Sequence, residues 1–186
     1  NDLELAVGFL FTEGIVSRIE HTGYKGATLG LRIQVDVALN PGNSGGPVFM
    51  DGDVIGLVFS GIPSAENIGY VIPTDEIRMF LEDVGDGSYE GNPRFFGRLQ
   101  TAENDAIREK LGLGESQTGL IVTEVDEGDV LERWDVIEKI GPHDIDNRGM
   151  VDVPGEGDLR LNFSYFVPKL ATESEDGWTA PMTVIR

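Results

Sequence analysis

The stretch Leu31-Arg32-Ile33-Gln34-Val35-Asp36-Val37 alternates apolar and polar residues without a break. A period of two fits a strand with one face in a core; a helix, whose faces repeat every 3.6 residues, cannot use it. Shorter runs of the same kind surround it. Residues 14–20 alternate with a β-branched bias. Val48-Phe49-Met50 and residues 54–59 flank Asp51-Gly52, a dipeptide suited to a tight hairpin turn. Tyr70-Val71-Ile72 is closed by Pro73. Thr74 then reads as a helix cap, followed by Asp75-Glu76-Ile77-Arg78-Met79-Phe80-Leu81-Glu82, with acids in the first turn and apolar residues at helical spacing. Short strands at even spacing with one closing helix predict an all-β barrel or sandwich over residues 1–84.

Residues 85–93, rich in glycine and polar groups, read as a linker. Residues 94–186 carry a different pattern, that of a small α+β domain. A short strand is expected at 95–99 and a helix, capped by Asn104 or Asp105, to about Leu111. Strands follow at 119–125 and 135–140. A helical stretch within 159–170 should end near Pro168, and a last strand should cover 178–185.

Charge and composition narrow the function. The 186 residues carry 14 Lys and Arg against 33 Asp and Glu, a net −19. Such a chain has no basic patch for a nucleic-acid backbone and is ill suited to anionic membrane surfaces. A halophilic or marine source is an equally good explanation of the acidity. No run approaches the length of a membrane span. Cysteine is absent, which excludes disulfide scaffolds, thiolate metal sites and cysteine nucleophiles. Two histidines, His21 and His143, exclude a His-rich metal site. No phosphate-cradling glycine loop, EF-hand or paired acids at metal spacing occur, so neither a metal nor another cofactor is expected. The first residue is Asn1, and the chain reads as a piece of a longer or processed protein.

The segment that carries chemistry is Asn40-Pro41-Gly42-Asn43-Ser44-Gly45-Gly46-Pro47. Glycines on both sides of a serine allow a tight backbone that exposes Oγ and lets main-chain N–H groups converge on one point, as an oxyanion hole requires. The bare G-x-S-x-G pattern also fits the nucleophile elbow of α/β-hydrolases. An elbow needs a helix directly after the serine, whereas Gly45-Gly46-Pro47 leads into a strand and the Asp51-Gly52 hairpin. A plain tight turn is the other reading of these residues. Asp36, eight positions before Ser44 on an alternating strand, is a candidate triad acid by position alone.

Taken in order, residues 14–20, the run from Asp36 to Pro47, Val54-Ile55-Gly56 and Asn67-Ile68-Gly69-Tyr70-Val71-Ile72-Pro73 resemble the Deg/HtrA serine proteases, which are chymotrypsin-like. The second half resembles the PDZ domain that follows the protease in that family. The resemblance implies that residues 1–84 are the second barrel only, an incomplete protease, and that 94–186 are PDZ-like. Ser44 would be the nucleophile, and the amides of Gly42 and Ser44 the oxyanion hole, with Asn43 shaping the loop. Phe59, Ser60 and Gly61 would lie beside the substrate backbone. Ala38 and Leu39 would lie near the base of the specificity pocket and select a small or medium apolar side chain. Asn43, being uncharged, does not support activation by pairing with a new N-terminus.

The family's triad His and Asp lie in the first barrel, upstream of the serine, so the resemblance implies that Asp36 belongs instead to the scaffold of the serine loop. The context of His21 does not match that motif; it reads as an exposed turn residue, and His143 as incidental. The piece should therefore lack its general base. The implied activity is ATP-independent quality-control proteolysis of unfolded proteins or peptides by a trimer-based homo-oligomer, in a bacterial cell envelope or an organelle. A non-catalytic pseudo-protease, chaperone or peptide-binding module is the alternative. In the PDZ-like half, Phe95, Phe96, Gly97 and Arg98 would form the peptide-carboxylate loop. The segment 130–137 resembles the family strand but has Trp134 where that strand has glycine, which puts peptide binding there in question.

Overall fold

The structure is a computed structural model and describes residues 16–24, 28–36, 42–61, 68–95, 97–126, 129–174 and 177–186. The chain divides into two compact units, Asn1–Gly91 and Asn92–Arg186.

The first unit is one antiparallel sheet and a helix. Its strands are β1 (Val16–Tyr24), β2 (Thr28–Val35), β3 (Pro47–Met50), β4 (Asp53–Gly61) and β5 (Gly69–Pro73), in the order β1-β2-β5-β4-β3. Leu31, Ile33 and Val35 are buried on one face of β2, where the alternation puts them, as are Ile19 and Val71 on the paired strands, while Ile55 clusters with Met50 and Val48. Asp51 and Gly52 turn β3 into β4 with φ of 50° and 95°, a pair of left-handed residues whose twist matches that of the strands they join.

Three expectations need correcting here. Among the described residues β1 pairs only with β2 and β3 only with β4, so the sheet is open, with two edges, and is not a closed barrel. The β1–β2 ladder continues through His21↔Leu31 to Tyr24↔Thr28, so Glu20-His21-Thr22-Gly23 is strand where a turn was expected. The helix α1 (Thr74–Asp83) begins at Thr74 itself; Pro73 is its cap, and no side chain caps it.

The second unit holds a sheet in the order β14-β8-β7-β6, from β6 (Arg98–Thr101), β7 (Leu120–Glu124), β8 (Val136–Ile140) and β14 (Met182–Ile185), with β9 (His143–Asp144) paired to β8. Two hairpins, β10 (Met150–Asp152) with β11 (Arg160–Asn162) and β12 (Thr172–Ser174) with β13 (Gly177–Thr179), complete the strands. Helix α2 (Asp105–Leu111) is capped by Asn104, whose side chain accepts from the amides of Ala106 and Ile107, and ends on Gly112 in the left-handed region.

The helical stretch expected within 159–170 is instead strand β11, a 3₁₀ turn over Phe163–Tyr165 and the single-turn helix α3 (Val167–Leu170). Asn162 caps the turn through the Ser164 amide, and Pro168 sits in the first turn of α3, where its missing N–H costs nothing. Phe163, Tyr165, Phe166 and Val167 are all buried, a density of apolar contact that one helical stripe would not give. The final strand is likewise two strands, β13 and β14.

Candidate active site

Ser44 lies on an exposed loop that two backbone hydrogen bonds tie to β4 and a third closes on itself. The Gly45 amide donates to the Val58 carbonyl at 2.6 Å, the Val58 amide to the Gly46 carbonyl at 2.8 Å, and the Gly46 amide to the Asn43 carbonyl at 3.0 Å. Gly42 and Gly45 take φ of 103° and 83°, values an L side chain reaches only under strain. Ser44 Oγ donates to the carbonyl of Phe59 at 3.1 Å. Among the described residues, the amides of Gly42 and Ser44 meet no acceptor.

Phe59 can serve as that acceptor because β4 bulges. Val58 pairs with Val71 and Ser60 with Tyr70, so Phe59 is the extra residue in the ladder, with its carbonyl on the serine loop. β3 meanwhile stops pairing at Pro47↔Leu57, since proline has no amide to continue the ladder. Beyond Leu57, the serine loop bonds to Val58 of β4.

Behind the bulge lies a group that alternation predicts to face solvent. Arg32 on β2 is 7 % exposed. Its guanidinium donates to the Leu31 carbonyl at 2.7 Å and stacks over the Phe59 ring at 4.9 Å, while its Nε is buried without a partner. Glu76 on α1 accepts the Leu31 amide at 2.9 Å. Burial pulls the Arg32 pKa below its usual value, and the Glu76 carboxylate opposes that shift. His21 is half-buried; desolvation first, then the charge of Arg32, lower its pKa to about 4, so the imidazole is neutral near pH 7.

His21 does not meet the serine. β2 and β5 stand between the strand of His21 and that of Phe59; three spacings of ~4.8 Å put them roughly 14 Å apart along the sheet. His143 belongs to the second unit, its ring 4.9 Å from that of Phe166. Asp36 accepts a hydrogen bond from the Ser17 hydroxyl, which ties the end of β2 to β1. Ala38, Leu39 and Phe96 lie outside the described residues, and Ser60 and Gly61 are described as backbone of β4. No group of three or more metal-ligating side chains occurs among the described residues, and no described helix is long and apolar enough to cross a membrane.

In the second unit, the Phe95 ring meets Phe163 edge-on at 5.8 Å. A Cβ at Gly97 would lie 2.7 Å from that ring and 3.0 Å from the Glu124 carbonyl, so only glycine fits. Arg98 pairs with Glu124 at 3.1 Å. A cleft of about 470 Å³ opens beside Arg94 and Phe95, walled by Val130, Val167, Trp178 and Met182. Trp134 holds φ of 83°, with the Lys110 ammonium 4.2 Å and the Arg133 guanidinium 4.7 Å from its ring centre. Arg32, the Phe59 bulge and the Trp134 strain carried no sequence signal beyond the missing glycine at 134.

An antiparallel sheet that presents a glycine-flanked serine beside an open strand edge is the architecture of a trypsin-like peptidase, and the family described as "Trypsin-like peptidase domain" matches residues 3–57. Among curated proteins, the chain is 39% identical over 162 residues to "Protease Do-like 4, mitochondrial" of Arabidopsis thaliana, covering 84% of this chain and 31% of that protein. It is 42% identical over 165 residues to "Protease Do-like 2, chloroplastic" of the same plant, covering 84% and 27%. It is also 39% identical over 134 residues to "Serine protease DegP homolog" of Plasmodium falciparum (isolate 3D7), covering 67% and 15%. The solved structure "HtrA-type protease AlgW with tripeptide" superposes with a TM-score of 0.56 at 21% identity, over 92% of this chain and 59% of that one. These similarities support a fragment of a Deg/HtrA-type serine protease. It spans less than a third of the length of these curated relatives.

Proposed function

We propose that this chain carries the nucleophile and substrate edge of an ATP-independent serine endopeptidase that cleaves unfolded or misfolded proteins after small or medium apolar residues. The observation that carries the proposal is the Ser44 hydroxyl on an exposed, glycine-flanked loop, hydrogen-bonded to the Phe59 carbonyl of β4. Ser44 attacks the scissile carbonyl, and the Gly42 and Ser44 amides receive the oxyanion; losing one such donor costs ~10²–10³ in rate. An extended substrate adds along Phe59, Ser60 and Gly61 as a further strand. The resting hydroxyl donates to Phe59, so attack requires it to turn to a base. With His21 three strand spacings from β4, that base and its orienting acid come from another part of the parent protein.

The second unit, residues 94–186, acts in this reading as a PDZ-like module beyond a linker at 85–93. Its loop of Phe95, Phe96, Gly97 and Arg98 receives a peptide carboxylate, and the cleft beside Phe95 an apolar side chain. Its role is to steer substrate or gate the protease, within a trimer-based assembly. The separation of His21 from Ser44 favours one other reading, a pseudo-protease that holds peptides without cutting them.

Labelling of the full-length parent by a fluorophosphonate, beside Ser44→Ala, tests the proposal. Label that vanishes in the variant is the expected result. A folded parent that takes up no label overturns the protease reading in favour of the peptide-holding one.

A further inference from the structure

We infer that Arg32 is a positioning residue for the nucleophile: packed against the Phe59 ring, it holds the β4 bulge whose carbonyl receives the Ser44 hydroxyl. The inference rests on the protease reading of Ser44. Phe59 lies at the register shift between Val58↔Val71 and Ser60↔Tyr70. The Arg32 guanidinium packs over its ring, 4.9 Å from the ring centre. Phe59 in turn carries Ser44 Oγ on its carbonyl, and the neighbouring Val58 carries Gly45 and Gly46. Arginine, ring, bulge and serine loop thus form one chain of contacts.

The arrangement is costly, which argues that it is kept for more than stability. A guanidinium is 93% removed from solvent with its Nε unsatisfied, and an apolar side chain of similar volume would ordinarily serve a core at least as well. The surroundings are shaped to admit it. A Cβ at Gly30 would fall 2.6 Å from the Arg32 guanidinium and 2.9 Å from Glu76 Oε2, so the glycine leaves the space in which the two charges approach. Glu76 is fixed from the other side by the Leu31 amide. The first turn of α1 is thereby linked, through Arg32 and Phe59, to the serine.

The test uses the full-length protein and saturating fluorophosphonate kinetics. Arg32→Met should keep the folded state and leave KI within about two-fold, while kinact falls about ten-fold, the equivalent of ~1.4 kcal/mol in the barrier. Phe59→Leu should cost a similar factor, and the double variant no more than either single one, because both cut the same contact. An unchanged kinact in Arg32→Met, or losses that multiply in the double variant, overturns the inference. Should Arg32→Met fail to fold, Arg32→Lys, which keeps the cation without the planar stack, takes its place and should lie between. Should the wild-type protein take no label, the protease reading fails and amide exchange decides instead. Exchange at Gly45 and Val58 at least about ten-fold faster in the variant supports the support role of Arg32; unchanged exchange overturns it.

Discussion

Trp134 stands in the left-handed region at φ 83°, where its side chain strains the backbone, yet its amide is locked to the Val122 carbonyl at 2.8 Å. It also packs against the core cluster of Ala102, Ile121 and Val136. Replacing it by alanine removes the ring and keeps the strain; replacing it by glycine removes the ring and the strain together. The left-handed conformation costs an L residue ~1–2 kcal/mol, and glycine's extra freedom in the unfolded chain gives back ~0.5–1 kcal/mol. Trp134→Gly should therefore be more stable than Trp134→Ala by about 0.5–1 kcal/mol, although glycine is the smaller residue. The chain's two tryptophans, Trp134 and Trp178, both lie in the second unit. Trp178 fluorescence thus follows urea unfolding of that unit in either variant. At a slope of ~1–2 kcal/mol/M the two midpoints should differ by roughly 0.3–1 M. An alanine variant as stable as the glycine variant would refute the reasoning, because it would mean that position 134 is not strained.

Other measurements bear on the site and its scaffold. The His21 imidazole is neutral in the fold down to about pH 4 but takes a proton near pH 6.5 when unfolded. The unfolded state therefore binds more protons between those values, and stability present above pH 6.5 is lost as the pH falls toward 4. After allowance for the ring's partial exposure the loss is about 1–2 kcal/mol; circular-dichroism melts of His21→Gln should lack that part of the slope. Gly42→Ala leaves the new methyl in open space but strains the loop at φ 103°; fluorophosphonate labelling of the parent should slow about ten-fold, and an unaltered rate would remove Gly42 from the oxyanion role. Gly97→Ala drives a methyl into the Phe95 ring and the Glu124 carbonyl and should cost ~1–3 kcal/mol by urea titration, part of it recovered with Phe95→Leu. Asn104→Ala removes the cap of α2 and should cost ~1 kcal/mol in the same assay.

What could be read from the residues alone was local. The alternation of Leu31, Ile33 and Val35, the Asp51-Gly52 turn and the Asn104 cap each depend on a few neighbours, and each is present. Glycines flanking Ser44 announced an unusual backbone, and two of them have positive φ. What escaped depends on residues distant in sequence. His21 is in a strand because the partner strand extends to Thr28, beyond the Thr22-Gly23 pair that suggested a turn. Arg32 stands at an outward position of an alternating strand, yet Glu76 and Phe59, 44 and 27 positions further on (76 − 32 and 59 − 32), approach that position. The helical stretch expected within 159–170 is present only as a 3₁₀ turn at 163–165 and one helical turn at 167–170, with consecutive buried residues at 165–167 between them. The Phe59 bulge is a mismatch of two ladders, and no single strand encodes it.

Pro47, which ends the β3–β4 ladder at Leu57, has a consequence for how copies of this protein treat one another. A strand edge that welcomes any extended chain has no means of refusing an extended segment of its own kind, and unpaired edges are where sheets fuse into aggregates. Closing the edge would exclude peptides as surely as it excludes other copies. Repulsion at a distance discriminates where shape cannot: molecules that each carry −19 resist the approach of a second copy, while a neutral or basic unfolded segment meets no such barrier. The acidity of the chain would then be colloidal protection for an edge left open, strongest in dilute salt and weakened as ions screen it.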